Sequence, residues 1–444
     1  MSPGAKRDAA AVVGASRSVL VENVRVPTVS HASNEPIAVW LANGRVRELA
    51  PKIEADAGAE RVDGSGRWLL PGWIDLQLND IGWLSQGLKE PAEHARRVRQ
   101  VLAYQAARGV TGLALATLAA PVDEISAYLR GIAEVLQAQD EETDGVLVGG
   151  LVEGSFMNPE FHGAHNPRWV LPPTTEVFHQ FLGTGGLKLV NVAPEMGSEA
   201  LEVIRQATAN GVIVGIGHAK PHAERLREAV DAGARYVIHL GNGPTGSNLK
   251  RFHDGGMLEE ALRNDRLVVT VIVDEYHVHP QLVRDWIRRK ELSRFVAVSD
   301  AGFSMGAPAG EFEVFGVRGR TAVGAGYLEV VTADGPEGGN PLSSDRANLF
   351  GAAADMPSIF RSLLNLLTQQ MEGVYYRSHP AHPLAEAVDM AVAACSRNPA
   401  QLVGSDDRGH LQVNARADAV LVKIDGEPGA YDVSVERVWL GESK

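Results

Sequence analysis

The chain has 444 residues, 45% of them hydrophobic, a formal net charge of -13 and one cysteine, Cys395. The acidic balance argues against a nucleic-acid or anionic-membrane partner, and no apolar run reaches the ~20 residues of a membrane span. A single cysteine excludes an internal disulfide framework and a cysteine-built zinc site, and points to the cytoplasm.

Residues 1–17 lack the apolar core of a signal peptide and read as a disordered lead. Short strands follow from Ser18 to Trp68: VLVENVRV, IAVWLANGRVREL and RVDGSGRWLL, with NGR and DGSG as hairpin signals. Residues 408–444 resume that style in HLQV, ADAVLVKID and VERVWL. Two β-rich ends of one chain predict a small β-sandwich domain built from 18–68 and 408–444.

Between them, residues 69–407 alternate apolar runs with helical patterns such as HARRVRQVLAYQAARG and EALEVIRQATANG. The runs begin at Leu69, Thr111, Gly145, Leu187, Val212, Tyr236, Leu267 and Phe295. Apolar strands joined by crossover helices predict a parallel sheet covered on both faces. Eight such units close a TIM-like (β/α)8 barrel.

In such a barrel the C-terminal ends of the strands converge on one mouth. The first run ends in Gln77 and Asn79, the third in Glu153, the fifth in His218, the sixth in His239 and the eighth in Asp300. The seventh carries Asp274 and His277. One carboxylate and two imidazoles suit one divalent metal with a position left open for water. Zn2+ fits best, and Fe, Co, Ni and Mn share these ligand preferences. Asp300 can take a proton from the water and return it to a leaving group. A single strand-end histidine is more often a hydrogen-bonded structural residue than a ligand. Four suitable groups ending four of eight strands outweigh that reading.

The segments LPGWIDLQLN, GLVEGSFMNPEFHGAHNP, VAPE, GHAKPHAERLREAVDAGARYVIHLGN, VDEYHVHP and VSDAG resemble the amidohydrolase superfamily. Within it they are most similar to the N-acetylglucosamine-6-phosphate deacetylase family. The resemblance implies hydrolysis of the N-acetyl group of an amino sugar, with N-acetylglucosamine 6-phosphate as the default substrate, in a homodimer. It matches Glu153, His218 and His239 to metal ligands and Asp300 to the catalytic acid/base. It matches His165, beside Ala164, to a substrate contact, Asn242 and Gly243 to a site for the sugar or its phosphate, and His277 to a substrate-binding histidine. The superfamily's usual His-x-His after the first strand is Gln77-Leu78-Asn79 here, beside the substrate. Amides are poor zinc ligands, so this implies one metal rather than two. The loop Gly241–Arg251 also departs from the family, and Lys250 or Arg251 would serve there as the anion contact. Residues 369–387 read as an insertion. Two other readings are hydrolysis of a different N-acyl sugar or cyclic amide, and a catalytically idle barrel.

Overall fold

The structure is a computed structural model that describes residues 10–14, 18–27, 35–79, 90–139, 142–242, 255–302, 310–321, 327–331 and 349–441. Eight parallel strands form the barrel in chain order: Trp73–Asn79, Val110–Ala116, Leu147–Val152, Leu187–Asn191, Ile213–Ile216, Tyr236–Val237, Val268–Ile272 and Phe295–Val298. They are apolar because both faces are covered. Ile74, Leu76, Leu151, Leu189, Tyr236 and Val296 pack with one another, while Leu113, Val190, Val214 and Val269 join the helices outside. The sheet closes where Leu78 bridges Ala301, Asn79 N donates to Ala301 O (2.9 Å) and Asp300 N donates to Gln77 O (3.0 Å). Burial pushes the Asp75 carboxyl up to about 6. It accepts the Ser299 hydroxyl from the eighth strand's end, which ties the seam from below.

Both chain ends build a sandwich of two four-stranded sheets. One holds Ala11–Gly14, Asp432–Leu440, Ala419–Asp425 and Trp68–Pro71 in that order. The other holds Arg45–Ala50, Ile37–Ala42, Val19–Val24 and Glu60–Asp63. Three local expectations are corrected. Part of the lead is ordered, since Ala11–Gly14 pairs in parallel with Arg437–Leu440. DGSG is no hairpin: the chain turns there from one sheet to the other, and Glu60–Asp63 pairs in parallel with Val19–Glu22. HLQV forms no strand. The NGR hairpin does form, with Asn43 and Gly44 at φ 52° and 66°, the left-handed pair a tight two-residue turn needs.

A further sheet, antiparallel throughout, lies outside the expected sandwich and barrel. Gly310–Val314, Val317–Thr321, Tyr327–Val331 and Leu349–Ala352 follow the eighth barrel strand. Val314 and Phe350 pack with Leu118 and Ala164, and Asn166 Nδ2 donates to Phe315 O at 2.9 Å, so the sheet leans on the barrel mouth. No helix among the described residues is long and apolar enough to cross a membrane.

Candidate metal-dependent active site

Glu153 lies at the centre of the mouth. The next residue is Gly154, because a Cβ there would fall 2.0 Å from Ala119 N. That approach seats the Glu153 turn against the end of the second strand. Glu153 Oε1 lies 2.9 Å from His239 Nε2, 3.3 Å from His218 Nε2 and 3.9 Å from His165 Nε2. The rings of His165 and His218, and of His218 and His239, meet edge to face with centroids 4.9 Å apart. Four of the expected residues therefore meet at one point, and all four are buried.

Glu153, His165 and His218 offer ligand atoms within 4.8 Å of one another. Distance alone would make His165 a ligand, but the hydrogen bonds behind the rings argue otherwise. His218 Nδ1 faces Phe161 O at 2.8 Å and His239 Nδ1 faces Asn242 O at 3.1 Å. A carbonyl accepts only, so both Nδ1 atoms carry hydrogen and a neutral ring turns a lone pair at Nε2 toward Glu153. His165 is reversed. Its Nδ1 accepts the Ala119 N–H at 3.0 Å, so Nε2 carries the hydrogen and donates. Glu153, His218 and His239 thus present two nitrogen lone pairs and a carboxylate, a donor set that fits one divalent transition metal. Glu153 Oε2 is buried and has no partner among the described residues, so the carboxylate keeps an unused lone pair at this point.

Asp300 stands across the mouth. Asn79 Nδ2 donates to its Oδ1 at 2.6 Å and Gln77 Nε2 at 2.9 Å, while Gln77 Nε2 also reaches Glu153 Oε1 at 2.8 Å. Burial and the charge of Glu153 push the Asp300 carboxyl well above the carboxylate range. Burial also opposes the charge on Glu153, but the surrounding His165, His218 and His239 outweigh it and hold its carboxyl well below that range. Burial pushes His218 down to about 4. For His239 burial is outweighed by the hydrogen bond to Glu153 and the charge of Asp300, which lift it to about 9.

The remaining expectations divide. Ala164 packs against the cluster of Val314 and Phe350, in the antiparallel sheet that follows the barrel. Asn242 serves His239 through its backbone carbonyl, and its side-chain Nδ2 is buried with no partner among the described residues. His277 lies beyond the seventh strand, its Nδ1 2.7 Å from Asp274 Oδ2, and no hydrogen bond joins it to the Glu153 cluster. Gly243, Lys250 and Arg251 fall outside the described residues.

Two supporting residues escaped the sequence reading. Asn191, ending the fourth strand, donates to Glu153 O (3.3 Å) and Gly217 O (3.1 Å). Thr270 Oγ1 accepts the backbone N–H of His239 at 2.8 Å. Their signal was a polar residue inside or ending an apolar run, the same signal that marked Glu153.

No family model matches the chain. It is 26% identical over 409 residues to an N-acetylglucosamine-6-phosphate deacetylase of Lysinibacillus sphaericus, covering 91% of this chain and 94% of that one. A Vibrio furnissii protein of the same description is 29% identical over 376 residues, covering 84% of this chain and 81% of its own. Among solved structures, a mutant N-acetyl-D-glucosamine-6-phosphate deacetylase from Mycobacterium smegmatis, in complex with N-acetyl-D-glucosamine-6-phosphate, aligns with a TM-score of 0.74 at 22% identity. That alignment covers 94% of this chain and 99% of the other, a likeness of fold.

Proposed function

We propose that this chain, a divergent member of the N-acetylglucosamine-6-phosphate deacetylase family of amidohydrolases, removes the N-acetyl group of an amino sugar, with N-acetylglucosamine 6-phosphate as the default substrate. The observation that carries the reading is the meeting of Glu153, His218 and His239 opposite Asp300, with His165 reversed to donate. Glu153, His218 and His239 would hold one divalent metal ion, Zn2+ before Fe, Co, Ni or Mn. When bound, it supplies Lewis-acid activation of a water and of the acyl carbonyl.

The chain's own residues do the rest. Asp300 takes a proton from the attacking water as the new C–O bond forms. It then gives that proton to the nitrogen as the C–N bond breaks, leaving acetate and a free amine. A carboxyl whose pKa is raised suits the first half, because it gains a proton readily. His165 Nε2–H is aimed at the same point and donates to the acyl oxygen as charge builds there. Asn242 and Gly243, with Lys250 or Arg251, are the residues assigned to the sugar and its phosphate, and His277 to the sugar. The reading includes a homodimer, and a cytoplasmic protein in keeping with the single buried Cys395.

The test is an amine-release screen of the metal-loaded protein across N-acetyl hexosamines with and without a 6-phosphate. Release from the phosphorylated sugars supports the full reading. Equal release from unphosphorylated ones removes the phosphate from it, and no release from any removes the function.

A further inference from the structure

We infer that Gln77 and Asn79 form an amide clamp: their NH2 groups hold Asp300 in place, and their carbonyl oxygens accept the N–H of the scissile amide, turning the nitrogen lone pair toward Asp300. The inference rests on the deacetylase reading and adds two positioning residues to it.

The orientation of both amides follows from their partners. Gln77 Nε2 lies 2.9 Å from Asp300 Oδ1 and 2.8 Å from Glu153 Oε1, and Asn79 Nδ2 lies 2.6 Å from Asp300 Oδ1. Carboxylates accept, so the facing groups must be NH2 and the oxygens must face elsewhere. Among the described residues, neither Gln77 Oε1 nor Asn79 Oδ1 has a partner, although both are buried. Covalent geometry keeps an amide oxygen within about 2.3 Å of its own nitrogen. Both free acceptors therefore lie within about 5 Å of Asp300 Oδ1. A register shift in the first strand between Asp75 and Leu78 accompanies this placement, as an irregularity that re-aims a side chain would.

The chemistry of the leaving group calls for such acceptors. An amide nitrogen has no basic lone pair until water adds to the carbonyl carbon. The nitrogen then bears one hydrogen and one lone pair, and it leaves only when the lone pair takes a proton. If Asp300 gives that proton, the N–H must point elsewhere, and a buried N–H needs an acceptor. An ester has no N–H, and its leaving oxygen departs more readily without a proton, so it still uses Asp300 on the attacking water but has no use for the two acceptor oxygens.

Asn79 touches Asp300 but not Glu153 in this network, so Asn79→Leu is the cleaner variant and Gln77→Met the second. Each is compared with wild type on N-acetylglucosamine 6-phosphate and on 4-nitrophenyl acetate, with metal content measured on the same samples. Amide turnover is expected to fall by about 10²-fold, the scale of general acid help, and ester turnover by at least tenfold less, because it loses only the support of Asp300, while the metal content of Asn79→Leu stays within about threefold. Amide and ester turnover falling by the same factor in Asn79→Leu, or amide turnover unchanged in both variants, overturns the clamp. No amine release by the wild type removes the deacetylase reading itself, and the clamp falls with it.

Discussion

His165, His218 and His239 all turn Nε2 toward one carboxylate, yet their Nδ1 partners separate two lone pairs from one N–H. His218→Ala or His239→Ala should therefore strip most of the metal while leaving the barrel folded. His165→Ala should keep the metal and lose about 10²-fold in turnover, the effect of removing one oxyanion donor. Metal analysis beside kcat separates the roles, and a metal-free His165 variant would reverse them. Asp300→Asn should likewise keep the metal and lose at least ~10²-fold. The site also predicts a pH dependence. His239 is lifted to about 9, above the ~6.5 of a free imidazole. At neutral pH the metal-free site therefore carries a proton on the very nitrogen a metal needs. Metal binding must expel it, so affinity should rise with pH, up to about tenfold per unit, until pH 9 is reached. Calorimetry at pH 7 in buffers of different ionisation enthalpy should count close to one released proton, and a count of zero would contradict the ligand assignment. Residue types at strand ends made Glu153, His218, His239 and Asp300 readable in the sequence. The Nδ1 partners were not readable, because Phe161 and Ala119 act through their backbones, far from His218 and His165 in the chain.

Barrel strands were legible as elements because burial on both faces demands unbroken apolar runs, as in Thr111–Ala116 or Val268–Ile272. The sixth is only Tyr236–Val237, and the apolar residues after it belong to a turn. His218, His239 and Asp300 take φ of 47°, 26° and 45°, a region side-chain-bearing residues seldom adopt and sequence patterns do not report. The sheet from Gly310 to Ala352 was missed because VFGVRGR and its neighbours have little apolar alternation, and among the described residues its buried cluster is small, centred on Val314 and Phe350. The expected insertion at 369–387 is an element held by polar anchors. Asp285, buried in the helix Pro280–Lys290, accepts from Val374 N (2.8 Å), Tyr375 N (2.7 Å) and His379 Nε2 (2.7 Å). Neighbouring Arg284 donates to Gln369 O (3.2 Å) and Pro380 O (2.8 Å). Asp285→Ala would leave the buried His379 ring and the partly buried amides of Val374 and Tyr375 without this acceptor, a loss of about 3 kcal/mol. Limited proteolysis should then cut within residues 370–380, where Tyr375 is already exposed, before the rest of the chain. Unchanged protection would show that packing, rather than Asp285, holds the segment.

At the scale of the molecule, the sandwich and the barrel share a layer. In the sheet of Ala11–Gly14, Asp432–Leu440, Ala419–Asp425 and Trp68–Pro71, alternate residues serve different cores. Leu69, Ala419, Leu421 and Trp439 face the second sheet with Val19, Val39 and Leu41. Trp68, Leu70, Val420, Val422, Val438 and Leu440 belong instead to the core that continues through the barrel helices. Such a sheet is apolar on both faces, which is why these strands read as unbroken runs rather than alternating ones. Polar ties cross the same boundary. Arg408 donates to Thr111 O (2.8 Å) and to Gly145 O at the base of the second and third barrel strands, and Gly72 N donates to Asp418 O (3.0 Å). Neither part can therefore lose its structure without exposing the other's core. Multidomain chains often unfold in separate steps; this one should unfold in one. Trp439→Ala tests the point from the sandwich side, in a cluster that the metal-site residues do not enter. It should cost about 3–5 kcal/mol and lower a single calorimetric transition, with far-ultraviolet ellipticity and metal release moving together. A separate early transition that leaves the metal bound would show instead that the sandwich unfolds alone.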